Sequence, residues 1–139
     1  MEQFQQKNNS ITREIDLVVP LLPEMVRIVR LTVSGIASRI GFQIDEIEDI
    51  KVAVAEICNR IITKTDPTSE RCFIRFTMGD EQLKVSFSFE NRKPEEFELF
   101  DEEDILGISI VNSLVDEVDV NYSKHSKEII TLSMFLKEN

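Results

Sequence analysis

The sequence predicts a two-layer α+β sandwich, in which helices gather on one face of a mostly antiparallel mixed sheet. Two consecutive segments, 21–40 and 45–64, carry apolar residues at helical spacing. Two strand-like segments, 71–78 and 82–90, meet at Gly79-Asp80, which is typical of a tight hairpin. The predicted element order is strand, helix, helix, strand, strand, loop, helix, strand, strand, and this order is the basis for the fold class.

A strand and a helix are predicted to follow the polar N-terminus. Residues 11–19 are rich in β-branched and apolar side chains, and they predict a strand that ends at Pro20. In the helix 21–40, Pro23 suits the first turn and Gly41 suits the stop. Its predicted buried stripe consists of Met25, Ile28, Val29, Val33, Ile36 and Ile40.

The second helix is predicted to run from Asp45, as its N-cap, to about Lys64, before Asp66-Pro67 breaks it. Its predicted apolar face consists of Ile47, Ile50, Val54, Ile57 and Ile61. Glu56 lies at the edge of this face. Because an unpaired buried carboxylate costs several kcal/mol, Glu56 is either placed for a function or is a solvated charge at the border of the stripe.

The second half of the chain is predicted to supply most of the sheet. Its elements are strands 71–78 and 82–90, a loop over 92–104, a third helix over 105–115, and a closing hairpin of strands 119–122 and 128–136. In the strand 82–90, four apolar residues alternate with polar ones, so one face is expected to be buried. These four residues are Leu83, Val85, Phe87 and Phe89.

Length and charge limit the possible functions. The 139 residues, 42% of them hydrophobic, suit a single domain over 1–139, with residues 1–9 disordered or extended. The formal net charge of −10 repels phosphate backbones, so we expect no nucleic-acid partner. A basic protein surface is the expected kind of partner.

The cysteine and histidine pattern argues against a metal site. Cys58 and Cys72 form no CxxC pair, and the single histidine, His125, has no companion ligands. Two buried free thiols suit a reducing cytosol, so we expect a cytoplasmic protein. The first nine residues lack the apolar core of a signal peptide, and no run is apolar enough to span a membrane.

Two passages carry a resemblance to a known family, one over residues 50–62 and one over residues 105–118. Together with the element order, they resemble the ATP-binding fold of histidine kinases and DNA gyrase B, known as the histidine-kinase-like ATPase fold. Within it the chain is similar to the small bacterial anti-sigma factors, which are serine kinases. The likeness spans nearly the whole chain, although its motifs are incomplete.

The first family motif is a Glu that acts as general base or orients the attacking group, with a Mg²⁺-ligating Asn four residues later. Glu56 matches the Glu, but the later position is Arg60, which cannot ligate Mg²⁺. Asn59 is one residue early, which rotates it by about 100° around the helix. Arg60 either pairs with Glu56 or is simply solvated.

The second family motif is an Asp that reads the adenine amino group, followed by glycines. Asn91 or Glu90 stands near the Asp position, and an Asn carbonyl could still accept a hydrogen bond from adenine. The glycines are absent, and Pro94 fixes the backbone instead. The alternative interpretation of this segment is a polar strand end.

The third family motif is a glycine turn whose N–H groups cradle phosphates, and the resemblance places it at Gly107. Its usual companion glycines correspond to Asp104 or Ile105. The preceding connection is short for an ATP lid and is crowded with acidic residues, namely Glu95, Glu96, Glu98, Asp101, Glu102, Glu103 and Asp104. Each carboxylate beside a triphosphate would repel it by roughly 1 kcal/mol at contact range.

The resemblance therefore leaves two functions open. The first is an anti-sigma-factor-type regulator with an eroded nucleotide site and little or no binding of ATP and Mg²⁺. The alternative is an active ATP-dependent serine kinase that phosphorylates an anti-sigma antagonist. Either function implies a sigma factor or its antagonist as partner, and family members commonly form homodimers.

Two loop features are candidates for partner contact. The acidic stretch 95–104 is either a docking segment or a solubilising loop. The aromatic residues Phe4, Phe97 and Phe100 are either partner anchors or tuck under the loop onto the core.

Overall fold

The fold is known from a computed structural model that describes residues 12–64, 71–89, 100, 104–120 and 128–137. These residues form five strands, three α-helices and a short 3₁₀ turn at Pro23–Met25. The helices are α1 (Val26–Ile40), α2 (Ile44–Lys64) and α3 (Ile105–Leu114). The strands are β1 (Arg13–Pro20), β2 (Arg71–Met78), β3 (Gln82–Phe89), β4 (Glu117–Val120) and β5 (Glu128–Phe135).

The five strands form one sheet in the order β1-β2-β3-β5-β4. Each pairing among these described strands is antiparallel, so the parallel component of the predicted mixed sheet is not found in them. Across the centre, Phe76 lies opposite Val85, and Val85 lies opposite Leu132. All three side chains are fully buried. The predicted α+β sandwich is confirmed.

The core lies between one face of this sheet and the helices α1 and α2. The alternation predicted for β3 is confirmed, because Leu83, Val85, Phe87 and Phe89 are all buried. The opposite face of the sheet carries polar side chains such as Arg75, which is exposed and paired with Asp16. Fully burying a large apolar side chain contributes about 1.5–3 kcal/mol, so this one-sided pattern fixes the strand register.

Helix α1 ends where the sequence predicts. Gly41 adopts the left-handed conformation with φ 114°, and its N–H donates to the carbonyl of Ala37 at 3.2 Å. The predicted stripe is wrong at Ile28, whose side chain is 44% exposed. The buried face is centred on Val29 and Val33, which places Ile28 about 100° away around the helix. The residues of α1 that are buried are Val29, Val33, Ile36 and Ala37.

Helix α2 begins one residue earlier than predicted, at Ile44, so Asp45 lies in the first turn and is not the N-cap. The carboxylate of Asp45 accepts the N–H of Glu46 at 3.0 Å. The side chain of Glu46 accepts the N–H of Gln43 at 2.9 Å. The acidic first turn therefore still stabilises the helix start, through Glu46 rather than through a capping aspartate. The predicted break at Asp66-Pro67 lies outside the described residues.

Helix α3 packs against α2 and leads directly into β4, whose hairpin partner is β5. The helix ends at Leu114, because Val115 is already extended (φ −125°, ψ 165°). The contact between α2 and α3 brings Arg60 and Lys64 beside the first turn of α3. This junction holds the candidate site.

Candidate functional site

A cleft of about 270 Å³ opens between the C-terminal half of α2 and the start of α3. It is lined by Glu56, Asn59, Arg60, Thr63, Lys64 and Asp104. Five of these side chains come from α2, and the sixth lies directly before α3. The cleft therefore depends on how α3 is held against α2.

The helical repeat explains which α2 side chains reach the cleft. Ile57, Cys58 and Ile61 are buried in the core. Residues at the flank of that stripe lie beside α3, and Glu56 and Arg60 follow each other there by one turn. The side chain of Glu56 is 34% exposed and that of Arg60 is 16% exposed.

The Arg60 guanidinium joins two carboxylates from different parts of the chain. Its Nη2 donates to Glu56 Oε1 at 2.9 Å, and its Nη1 donates to Asp104 Oδ1 at 2.5 Å. Lys64 Nζ donates to the second oxygen of Asp104 at 2.9 Å. Two anions and two cations thus form one continuous network, and neither carboxylate is left without a cation.

The same guanidinium lies against the backbone of Gly107 and faces an aromatic ring. A Cβ added to Gly107 would lie only 2.7 Å from Arg60 Cζ and closer still to Nη2. Arg60 Cζ is 5.0 Å from the centroid of the Phe100 ring, within cation–π range. Phe100 is 8% exposed and belongs to the buried core, which favours packing on the core over a role as partner anchor.

These contacts keep the Arg60 guanidinium charged. Burial acts to lower the pKa of Arg60, but hydrogen bonds from its guanidinium to Glu56 and Asp104 outweigh burial and raise the pKa. Arg60 therefore stays charged at any physiological pH. Its Nε is buried and has no hydrogen-bond partner within the described residues, so only the two Nη groups hold the guanidinium through hydrogen bonds.

Magnesium does not fit this arrangement of side chains. The ion requires hard oxygen ligands, whereas Arg60 and Lys64 bring two cations to the oxygens of Glu56 and Asp104. In the part of the chain that the structure describes, no three His, Cys, Asp or Glu side chains gather as a metal site. A general base at Glu56 would also have to act while bonded to Arg60.

The structure brings together three of the predicted site residues, namely Glu56, Arg60 and Gly107. The predicted pairing of Arg60 with Glu56 is confirmed, and the alternative interpretation of Arg60 as a solvated side chain is wrong. Asn59 lines the cleft but is exposed, and its described hydrogen bond is the one its carbonyl accepts from Thr63 Oγ1 at 2.8 Å.

Three other predicted features lie outside the described residues. They are Asn91 and Glu90 of the adenine motif, Phe4 and Phe97, and the turn that carries His125.

The sequence did not predict the contribution of Asp104 and Lys64. Asp104 is 44 residues from Arg60, and nothing in its local pattern indicates which cation it meets. Lys64 is part of the last turn of α2, where a lysine is also common for reasons of the helix dipole alone.

Two further predictions concern the rest of the molecule. Cys58 and Cys72 are both buried and free, as expected. No described helix combines the length and the apolar character that crossing a membrane requires.

Comparison with known proteins places these features in context. The profile of the histidine kinase-like ATPase domain family matches residues 19–134. The serine-protein kinase RsbW of Bacillus subtilis is 35% identical, over 94% of this chain and 89% of that protein. The proteins of the same name from Bacillus licheniformis and Bacillus velezensis are 31% and 34% identical, over 88% and 76% of this chain and 85% and 76% of their own length.

Proposed function

The chain belongs to the histidine kinase-like ATPase domain family, and from this membership we propose that it is an anti-sigma-factor-type regulator that acts by binding proteins. Its nucleotide site, in this proposal, does not hold ATP and Mg²⁺ well enough for phosphate transfer. The observation that carries the proposal is the position of Arg60, which is bonded to Glu56 and Asp104 and lies against Gly107.

The electrostatic argument concerns what ATP and Mg²⁺ would have to displace. A metal ion at the position of the Arg60 guanidinium would compete with a covalently attached cation that already has two carboxylate partners. Moving Arg60 aside would leave Glu56 and Asp104 facing the phosphates, at roughly 1 kcal/mol of repulsion each. Both routes oppose binding.

The steric argument concerns the glycine turn. Phosphates bind at such turns because backbone N–H groups are open to them. Here the guanidinium covers Gly107, and Asp104 or Ile105 stands where the resemblance places the companion glycines. This packing supports a site that is filled by the protein's own side chain.

The expected partner is a sigma factor or its anti-sigma antagonist in the cytoplasm. The net charge of −10 suits docking on a basic protein surface, which also favours fast association. A homodimer is part of the same proposal, by analogy with the family. The acidic stretch 95–104 remains a candidate docking segment, and within it the structure describes Phe100 and Asp104.

A second candidate function is an active serine kinase. Two observations favour it: the similar proteins are named serine-protein kinases, and Glu56 is present in an open cleft of about 270 Å³. For this function Arg60 would have to leave both carboxylates when ATP binds. Lys64 would then be the cation nearest to the phosphates.

Two measurements distinguish these functions. The first is calorimetric titration of the purified chain with ATP and Mg²⁺, together with phosphate transfer from labelled ATP to anti-sigma antagonists of the same genome. The RsbW kinase of Bacillus subtilis, run in parallel, shows that the assay detects transfer. The second is binding to the purified sigma factors of that genome, without nucleotide.

The proposal expects sigma-factor or antagonist binding that is the same with and without ATP, and no labelled antagonist. Labelled serine on an antagonist at a rate comparable with the control kinase would establish the second function instead. Absence of binding to every sigma factor and antagonist would overturn the regulator.

A further inference from the structure

Gly107 is the third residue of α3, where a glycine is costly for the helix and needs an explanation. The backbone conformation of Gly107 does not explain the glycine, because among the described glycines only Gly41 has a positive φ. The space around Gly107 does explain it. The three atoms nearest to an added Cβ all belong to Arg60: Nη2, Cζ at 2.7 Å and Nε at 3.3 Å.

We infer that Arg60 is an internal ligand of this site. Because Gly107 has no side chain, it leaves the space that the Arg60 guanidinium occupies, and this space serves the guanidinium rather than a phosphate. The guanidinium takes the place beside the helix start and links α2 to α3 in the absence of any soluble ligand. The inference rests on the proposed function in one respect, namely that ATP does not occupy the same place.

The contacts of Arg60 have the properties of a bound ligand. Two carboxylates on separate elements bind it, through Nη2 at 2.9 Å and Nη1 at 2.5 Å. The Phe100 ring covers it at 5.0 Å. The side chain is 16% exposed, compared with 54% for Arg75, which binds Asp16 on the open face of the sheet. A partly desolvated charge with two partners is held more firmly than an exposed pair.

Because the guanidinium occupies the space beside Gly107, a methyl group at residue 107 is expected to lower the stability strongly. The guanidinium is the flexible end of a side chain, so it could move away from an alanine at this position. Moving away breaks the bonds to Glu56 and Asp104, which removes the link between α2 and α3. The loss is therefore a property of the pair of residues 60 and 107, and it disappears when Arg60 is absent.

A double-mutant cycle tests this coupling by its sign. In the parent chain, Gly107→Ala lowers the Tm by about 3 °C or more, because the link is lost. In the Arg60→Ala background the same substitution raises the Tm by a similar amount, because alanine favours the helix and the three atoms nearest to its Cβ are gone. The opposite signs are the expected result.

Gly35→Ala is the matched control. Gly35 is an exposed position within α1, whereas Gly107 is buried, and an added Cβ at Gly35 would meet nothing within 4 Å. This substitution is expected to raise the Tm equally in the parent and in the Arg60→Ala background. Equal effects of Gly107→Ala in the two backgrounds would overturn the inference.

Hydrogen exchange supplies a second readout that does not need global unfolding. Amides of α3 are expected to exchange at least about tenfold faster in Arg60→Ala and in Gly107→Ala, while amides of β2 and β3 change less than about twofold. Unchanged exchange in α3 would contradict the link between the helices.

Adding ATP and Mg²⁺ to the parent chain separates the inference from the proposed function. Slower exchange in α3 on addition of nucleotide would show that ATP binds in the place of the Arg60 guanidinium. That result would contradict both the inference and the proposed function. Absence of binding to every sigma factor and antagonist, together with the opposite signs of the two Gly107→Ala effects, would contradict the proposed function alone.

Discussion

Arg60 and Asp104 are 44 residues apart in the chain, yet Nη1 of one and Oδ1 of the other are 2.5 Å apart. Asp104 stands at the N-cap position of α3, but its side chain makes no capping hydrogen bond there. Its carboxylate instead binds Arg60 and Lys64 of α2. The residue that would usually cap its own helix therefore connects two helices.

The first prediction concerns the stability that this connection provides. Arg60→Ala is expected to lower the free energy of unfolding by about 2 kcal/mol, because it leaves two partly buried carboxylates with fewer partners. Arg75→Ala is the matched control, and its loss should be clearly smaller because both groups of that pair are half exposed. Urea unfolding measures both. Equal losses would mean that burial at the site contributes nothing.

The second prediction concerns repair of the nucleotide site. Arg60→Asn restores an oxygen ligand at the position where the family carries its Asn, yet we expect no measurable binding of ATP and Mg²⁺. Asp104 and Ile105 still replace the companion glycines, and the Asp104 carboxylate would face the phosphates. Calorimetric titration checks this, with Arg60→Ala as control. Micromolar binding by Arg60→Asn alone would show that one side chain closes the site.

The third prediction is a pH dependence located at β4 and β5. Burial acts to raise the pKa of Asp116, but hydrogen bonds from Lys137 and from the N–H of Phe135 outweigh it, so the pKa falls below its ordinary value of 3.8. A lowered pKa stabilises the fold above that value, and the stabilisation is lost as the pH falls through the folded-state pKa.

Asp116→Asn should accordingly cost about 1 kcal/mol at pH 6, a small value because solvent screens the pair. The cost should shrink as the pH falls below the ordinary pKa of 3.8 and vanish below the lower folded-state pKa. Urea unfolding across this range measures it, with Asp80→Asn, an exposed turn residue, as control. A cost that is independent of pH would assign the effect to packing instead of charge.

The fourth prediction concerns the two thiols. Burial raises the pKa of Cys72 to about 12, and burial together with the neighbouring Cys72 raises the pKa of Cys58 further. Both thiols are therefore protonated and shielded in the folded protein. A disulfide reagent at pH 8 should label them at least about 100-fold more slowly than in concentrated guanidinium. Rapid labelling of the folded chain would contradict their burial.

The fifth prediction concerns electrostatic steering of the proposed partner. Reversing Glu102 and Glu103 to lysine is expected to lower the association rate with a basic partner about tenfold at low salt, and to weaken its salt dependence. Stopped-flow association measures this, and charge reversal at the exposed Glu81 serves as control. A rate that is unchanged at low salt would assign the acidic stretch to solubility.

The sequence predicted the elements well where the periodicity of apolar residues is strong. Leu83 to Phe89 alternate in sequence and are buried alternately in the sheet, because strand geometry itself sends neighbouring side chains to opposite faces. Gly41 predicted the end of α1 because few other residues adopt its positive φ without strain. The predictions for Ile28 and Asp45 failed because a pattern does not fix the angular centre of a stripe or the first residue of a helix.

The candidate site was predicted only in part. Glu56 and Arg60 are one turn apart on the same helix, so their pairing was among the expected outcomes. The contacts of Arg60 with Asp104, Phe100 and Gly107 were not, since they depend on where a loop and a second helix pack. Helical periodicity predicts which side chains share a face within one helix, but it predicts nothing about residues that are 40 or more positions apart.

The amino-acid sequence alone determined the order of the elements, the buried face of β3 and the presence of a cation at the position where the resemblance implies a metal ligand. The tertiary structure decided what that cation touches, and thereby turned two carboxylates and a glycine into its binding site. The reason is that local periodicity is set by backbone geometry within a few residues. A contact between α2 and α3 is set by the packing of the whole core, which no short stretch of sequence contains.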